Sequence, residues 1–164
     1  MQIRAACDED IEQITEIYNR EVTDSLVTLD LVPWTDQEAR GWLDRHKGAH
    51  PALVALGDRP GVHVVGFAAL SAFKDRPGYS TTVENSLYVR EGNRRQGVGR
   101  ALLGELVEMG ARHGFHAVIA RMVRSNRASI ALHESCGFQV VGVEHEVARK
   151  QGRWVDVLEM ERLL

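Results

Sequence analysis

The most constraining feature of the sequence is a strand that passes through a basic, glycine-containing loop directly into an amphipathic helix. Residues 81–89 alternate between apolar and polar side chains, which is the period-two pattern of a half-buried strand. Residues 90–96 are polar and basic, and from Gly97 to about His113 apolar residues recur at helical spacing. This order indicates a fold that mixes strands and helices.

The rest of the chain also alternates strand and helix patterns. Asp8 can cap a first helix, a capping-box pattern opens a second helix from Thr35 to about Lys47, and residues 126–136 form a last helix. Residues 57–61 predict a turn. The remaining strands are predicted at residues 2–5, 52–56, 62–73, 117–122, 138–146 and 154–163. The order β-α-α-β-β-β-α-β-α-β-β predicts one mixed sheet with helices on its faces.

Length and composition restrict the class of protein. The 164 residues suit one domain over residues 1–164, and 44% hydrophobic with 26% charged residues is typical of a globular protein. The net charge of −3 argues against a nucleic-acid partner, and no apolar run approaches the roughly 20 residues of a membrane helix. We expect no signal peptide. Cys7 and Cys136 lie far apart without metal-ligand spacing, which predicts a cytoplasmic protein with no metal.

The loop and the helix start have the properties of a phosphate-binding site. The first N–H groups of a helix lack intrahelical partners, and the helix dipole adds positive potential there. Gly97 and Gly99 would let an anion approach the backbone, while Arg94, Arg95 and Arg100 add positive charge. The alternative is a glycine-containing helix start beside a solvated basic loop.

The same residues indicate which phosphate ligand to expect. A Walker loop would need Lys-Ser/Thr, and a dinucleotide fingerprint would need Gly or Ala where this chain has Leu102. Arg94-x-x-Gly97-x-Gly99 instead matches the R/Q-x-x-G-x-G/A motif of the GCN5-related N-acetyltransferases (GNAT), which bind the pyrophosphate of acetyl-CoA there. Three further segments resemble the phosphinothricin and methionine sulfoximine acetyltransferase branch of that family: residues 82–89, 126–138 and 150–157.

This resemblance implies a single-domain, GNAT-like α/β fold with a mostly antiparallel sheet, and acetyl-CoA as the co-substrate. The pantetheine arm would pair with the backbone of the strand before the motif, and the pyrophosphate would lie on the N–H groups at the helix start. For Asn126 a plain helix cap is an equally strong alternative. The implied cofactor-binding residues are Leu87, Tyr88, Val89, Arg94, Arg95, Gln96, Gly97, Val98, Gly99, Arg100, Asn126 and Ser135.

Glu84 and His133 are the predicted catalytic residues. An amine is mostly protonated at neutral pH, so a carboxylate beside the cofactor arm would have to remove a proton, and burial would have to raise the pKa of Glu84 for this task. The alternative is a solvated glutamate, or one that only binds the ammonium. His133 could donate to the leaving sulfur or simply pack against Phe138. Tyr88 is a weaker candidate for the same donation.

The resemblance implies an acceptor with a primary amine on a small amino-acid-like molecule, of the phosphinothricin or methionine sulfoximine type. Lys74, Arg76 and Glu84 are the predicted substrate-binding residues, although Lys74 and Arg76 could form an ordinary exposed basic loop. Acetylation of a protein or peptide amine and a non-catalytic acyl-CoA-binding module stay open as alternatives. The family also implies a homodimer through the C-terminal strands.

Overall fold

The computed structural model describes residues 1–59 and 61–164 and has a single sheet flanked by helices. The strands are β1 (Gln2–Ala5), β2 (Ala52–Arg59), β3 (Val62–Ala72), β4 (Thr82–Val89), β5 (Ala117–Val123), β6 (Gln139–Lys150) and β7 (Arg153–Leu163). The helices are α1 (Ile11–Asp24), α2 (Asp36–Arg45), α3 (Val98–Arg112) and α4 (Arg127–Ser135). The strands lie in the order β1-β2-β3-β4-β5-β7-β6, and among the described pairs β4–β5 alone is parallel. The predicted order and the mostly antiparallel sheet are therefore confirmed.

Two hydrophobic clusters attach the helices to opposite faces of the sheet. On one face α1 and α2 pack against β2 and β3, with Ile14 and Phe67 almost fully buried between them. On the other face α3 packs against the centre of the sheet through Leu102 and Leu106, which are fully buried. Alternation along β4 sends Val83 into the α3 cluster and Tyr88 toward the α1 cluster. The two faces of β4 therefore serve different sides of the molecule.

Strands β4 and β5 separate part of the way along their length. They pair over four positions, from Thr82 opposite Ala117 to Asn85 opposite Ala120. Beyond that point residues 86–89 pair with β3, and residues 121–123 pair with β7. A gap therefore opens in the middle of the sheet, toward the N-terminus of α3.

Backbone alternation determines which groups face this gap. The N–H of Arg90 donates to the carbonyl of Val65 on β3, whereas the carbonyl of Thr81 accepts from His116 and Ala117 on the β5 side. Since successive residues of a strand direct their backbone groups to opposite neighbours, odd-numbered residues of β4 face β5. The free backbone groups in the gap thus include the N–H and carbonyl of residue 87 and the N–H of residue 89, whose carbonyl accepts from the Arg94 side chain.

Several element ends differ from the sequence prediction. Residues 8–10 form a single 3₁₀ turn before α1, and Asp10, not Asp8, accepts from the Cys7 N–H at 2.9 Å. The Arg4 guanidinium also binds Asp10, which explains why that carboxylate is buried at the start of the helix. The capping box of α2 is confirmed, since the Glu38 carboxylate accepts from the Thr35 N–H at 2.7 Å.

The strands near two turns are longer than predicted. β2 continues through Gly57 to Arg59, so the turn expected at residues 57–61 is shorter, and its Pro60 lies outside the described residues. β6 continues to Lys150, four residues past its predicted end, because two register shifts let it follow β7. No helix among the described residues is long and apolar enough to cross a membrane.

Leu106 tests how much the α3 cluster stabilises the fold. Leu106→Ala should lower the free energy of unfolding by about 2–5 kcal/mol, because the fully buried side chain would leave a cavity. The same change at the exposed Leu31 is the matched control and should stay within about 0.5 kcal/mol. Urea denaturation followed by circular dichroism measures both. Equal losses for the two variants would contradict the assignment of the core.

Candidate active site

The gap between β4 and β5 opens into a cavity of about 490 Å³. One wall is the last half of β4, another is the end of β5 with the start of α4, and the mouth is the loop before α3. The lining residues are Glu21, Val27, Glu84, Asn85, Ser86, Leu87, Tyr88, Val89, Arg94, Arg95, Gly97, Gly99, Arg100, Ala120, Arg121, Met122, Asn126, Ala128, Ser129, Leu132 and His133.

Most of the predicted site residues line this one cavity. Both predicted catalytic residues do so, as do nine of the twelve predicted cofactor-binding residues: Leu87, Tyr88, Val89, Arg94, Arg95, Gly97, Gly99, Arg100 and Asn126. The Gln96 amide turns back to donate to the Gly92 carbonyl, and the Val98 side chain is buried in the α3 cluster. The Ser135 hydroxyl is exposed and donates to the Leu132 carbonyl.

The cavity mouth presents a row of free backbone donors. Within the described chain, the N–H groups of residues 95–100 donate to no protein acceptor. Gly97 has φ of 83°, in the left-handed region that favours glycine, and this turns the chain into α3. At Gly99 an added Cβ would lie 3.1 Å from the Leu132 side chain, so the helix start can approach α4 closely only without a side chain. Such a cradle of N–H groups fits a diphosphate.

The charge at the mouth is partly balanced by a residue that the sequence analysis missed. Arg94 forms an ion pair with Glu21 of α1, and its Nε donates to the Val89 carbonyl at 3.1 Å. The Glu21 carboxylate is buried and also accepts from Ser25 at 2.8 Å. Its signal in the sequence is a carboxylate on the otherwise apolar stripe of α1. The Arg95 and Arg100 guanidinium groups form no ion pair among the described residues and line the same mouth.

Glu84 lies deeper in the cavity, on the α1 face of β4. It is half-buried, and burial raises the pKa of its carboxyl group above the ordinary range of glutamate. Arg121, on the same face of β5, lowers that pKa, and Glu159 raises it. Arg121 was not predicted as a site residue, and its guanidinium pairs with Glu144 and Glu159. The environment therefore moves Glu84 toward the range of a useful base.

His133 and Asn85 form a buried pair on the opposite face of β4. The His133 Nδ1 lies 2.8 Å from the Ser129 carbonyl, and its Nε2 lies 3.1 Å from the Asn85 amide nitrogen. The ring meets Phe138 edge to face, with centroids 5.0 Å apart. Burial lowers the pKa of His133, which keeps the imidazole neutral at physiological pH.

Asn126 takes up the helix-cap position, and it also faces the cavity. Its side-chain oxygen accepts from the Ser129 N–H at 3.1 Å, which is the ordinary cap of α4. Its place on the cavity wall means that the cap and a cofactor contact are compatible.

Lys74 and Arg76 do not line the cavity. Both are exposed on the loop between β3 and β4. The Lys74 ammonium lies 4.6 Å from the ring centre of Phe73 and 5.2 Å from that of Tyr79, so aromatic rings hold it beside the strand ends. The structure thus brings Glu84 and His133 into one cavity with the basic loop before α3, but it leaves Lys74 and Arg76 outside that cavity.

A polar network supports the loop that follows α1. The Tyr18 hydroxyl donates to Asp30 at 2.5 Å and lies 3.1 Å from the Thr28 hydroxyl. The buried ammonium of Lys150, at the end of β6, donates to the Thr28 carbonyl at 2.7 Å. This loop carries Val27 into the cavity, so the network fixes one wall of the cavity.

Comparisons with known proteins agree with this geometry. Residues 3–158 match the family model of the acetyltransferase (GNAT) domain. Over its full length the chain is 34% identical to a phosphinothricin N-acetyltransferase of Streptomyces coelicolor, of which it covers 96%. It is 36% identical, over 98% of its length, to an L-methionine sulfoximine/L-methionine sulfone acetyltransferase of Salmonella typhimurium, of which it covers 93%.

A solved structure shows the same fold. The GNAT superfamily phosphinothricin acetyltransferase from Sinorhizobium meliloti, in complex with AcCoA, superposes with a TM-score of 0.94 at 36% identity. The match covers 99% of this chain and 88% of that one. The resemblance found in the motif around Gly97 is therefore confirmed, and the chain belongs to the GNAT family of acetyltransferases.

Proposed function

We propose that this chain transfers the acetyl group of acetyl-CoA to the primary amine of a small amino-acid-like molecule, of the phosphinothricin or methionine sulfoximine type. The observation that carries the proposal is one cavity with a row of free N–H groups at its mouth and the Glu84 carboxyl group in its depth. The names of the relatives from Streptomyces coelicolor and Salmonella typhimurium support the class of acceptor.

The cofactor end of the site is formed by residues at the mouth of the cavity. The N–H groups of residues 95–100, with Arg95 and Arg100, would hold the diphosphate. The free carbonyl of Leu87 and the free N–H of Val89 would pair with the pantetheine arm as a neighbouring strand would, since the Val89 carbonyl accepts from Arg94 and β3 already uses the backbone groups of Tyr88. When bound, acetyl-CoA supplies the acetyl group as a thioester.

Glu84 acts as the base in this proposal. Burial in the cavity raises the pKa of its carboxyl group, so the carboxylate is a better acceptor for the proton of the incoming ammonium than a solvated glutamate. The Leu87 N–H faces the gap, and in this proposal it would stabilise negative charge that develops on the acetyl oxygen.

The leaving thiolate would take the second proton of the attacking amine, directly or through solvent, because neither Tyr88 nor His133 is a favourable donor. Burial raises the pKa of Tyr88 to about 12, far above the roughly 8.5 of an ordinary thiol, so proton transfer from this phenol is unfavourable. His133 has committed its N–H to the Ser129 carbonyl. We therefore assign His133 to the packed alternative, as a group that supports the cavity wall.

A homodimer and a cytoplasmic location also belong to the proposal. β6 is an edge of the sheet, and its Val140, Val141 and Val147 are about half exposed. An exposed apolar edge strand is a surface that normally pairs with another chain. Both cysteines are free, which suits a reducing compartment.

The first test is an acceptor panel. Thiol release from acetyl-CoA should be seen with phosphinothricin, methionine sulfoximine or related amino acids, and not with peptides offering an N-terminal or lysine amine. Turnover with peptides alone would instead support a protein acceptor. Binding of coenzyme A without turnover of any amine would support a non-catalytic acyl-CoA-binding module.

Glu84→Gln tests the base. The variant should lose about 10²–10⁴-fold in kcat/KM near neutral pH and less at high pH, where more of the amine is already deprotonated. Glu161→Gln is the matched control, since Glu161 lies on β7, separated from β4 by β5, and outside the cavity. A loss equal at every pH, or a loss shared by the control, would contradict the assignment.

Glu84→Gln should stabilise the fold although it lowers the activity. Because burial raises the pKa of Glu84, the native carboxyl retains its proton at pH values where the unfolded one has lost it, so the group destabilises the fold as pH rises above the unfolded pKa. Glu84→Gln should therefore increase the melting temperature at about pH 8 and leave it unchanged at about pH 3. A lower melting temperature at the higher pH would show that Glu84 is structural.

Val141→Asp tests the edge of the sheet. A charge on the exposed face of β6 should convert a dimer into a monomer, as measured by sedimentation equilibrium. Val32→Asp is the control, because Val32 is more exposed than Val141 but lies in the loop after α1. A wild-type chain that sediments as a monomer would contradict the dimer.

A further inference from the structure

Asn85 has a buried oxygen with no hydrogen-bond partner in the protein. The residue is 7% exposed, and its Oδ1 is buried and unsatisfied among the described residues. Asn85 lines the cavity at the last position where β4 and β5 pair. A buried acceptor without a partner costs free energy, so a ligand that brings a donor to this oxygen gains affinity.

The hydrogen bonds of His133 fix the direction in which this oxygen points. The Ser129 carbonyl can only accept, so the Nδ1 of His133, 2.8 Å away, carries the ring proton. The ring is neutral, because burial lowers the pKa of His133, and its Nε2 is therefore an acceptor. Only the amide nitrogen of Asn85 can donate to it across the 3.1 Å contact. The Asn85 oxygen is left free.

The face of the strand identifies the part of the ligand that meets this oxygen. Asn85 and Glu84 are consecutive, so their side chains lie on opposite faces of β4. Glu84 faces the α1 side, where we place the acceptor amine, and Asn85 faces α4. On the α4 side we place the pantetheine arm of the ligand, whose secondary amides carry N–H donors.

We propose that the Asn85 Oδ1 accepts a hydrogen bond from an amide N–H of the pantetheine arm, with His133 and the Ser129 carbonyl as the groups that hold the Asn85 amide in this orientation. The inference depends on the proposed function, since it takes the cavity to be the acetyl-CoA site. In it, Asn85 is a binding residue and His133 is a positioning residue. Neither group gives or takes a proton during the reaction.

A measurement on the ligand-free protein tests the orientation. ¹⁵N NMR of the ring nitrogens should show His133 neutral and protonated on Nδ1 at neutral pH. In Asn85→Asp the carboxylate has no N–H to donate, so His133 should gain a proton on Nε2 and titrate at a higher pH than in the wild type. Two results would overturn the proposed orientation of the Asn85 amide: a wild-type ring protonated on Nε2, or an unchanged titration of His133 in Asn85→Asp.

Calorimetric titration tests the contact with the arm. Asn85→Ala should lower the affinity for coenzyme A by about 2- to 10-fold, which is the range of one neutral hydrogen bond. The affinity for ADP should not change, because ADP carries the diphosphate without the arm. Asn93→Ala is the matched control. The Asn93 oxygen is also buried and unpaired but lies outside the cavity, so this change should alter both affinities by the same factor.

The outcomes separate this inference from the proposed function. A wild-type chain that does not bind coenzyme A would overturn both. If the wild type binds coenzyme A and Asn85→Ala binds it equally well, only the Asn85 contact is overturned, and water would satisfy the oxygen. His133→Ala should lower the affinity for coenzyme A as much as Asn85→Ala does. The double variant should show no further loss of affinity, because the two residues act as a unit. Additive losses would contradict the positioning role of His133.

Discussion

The short pairing of β4 with β5 is the constraint on which the site depends. Only four residue pairs hold these strands together, and the separation that follows turns the middle of a sheet into a cavity. β4 stays attached to β3 and β5 to β7, so pairing on the other side holds the backbone edge that Leu87 and Val89 present to the gap. A ligand that lies in the gap takes the place of a missing strand and needs little rearrangement of the protein.

The cavity also contains different chemical groups along β4 and on its two faces. The mouth is positive and rich in N–H donors, whereas the interior contains a carboxyl group whose pKa is raised by burial. Across β4, even-numbered residues such as Glu84 face α1 and odd-numbered residues such as Asn85 face α4. In the proposed function one strand would therefore supply proton chemistry on one side and ligand positioning on the other, with backbone pairing between them.

The fold, and the position of the glycine-containing loop before α3, could be predicted because they depend on local patterns. Alternation in β4, the glycines at 97 and 99 and the apolar stripe of α3 are each readable over a few residues. The partners of Arg94 and His133 could not be predicted, since Glu21 and Asn85 lie 73 and 48 positions away and meet them only through the packing of the sheet. Lys74 and Arg76 were placed near Glu84 by sequence, but the loop before β4 leads them away from the cavity.

The Lys150 contact has a consequence for the last hairpin. Lys150 faces inward in a register that is interrupted twice, by one extra residue of β6 between Val140 and Gly142 and by two between Glu144 and Ala148. Only the one-residue shift reverses the alternation of β6 against β7. A slip of one residue would turn the ammonium to the opposite face and release the Thr28 carbonyl, 122 positions earlier in the chain. The strand register at the C-terminal end of the molecule therefore sets the shape of a cavity wall built from its N-terminal part. An insertion in that hairpin would move this wall although the hairpin contributes none of the lining residues described above.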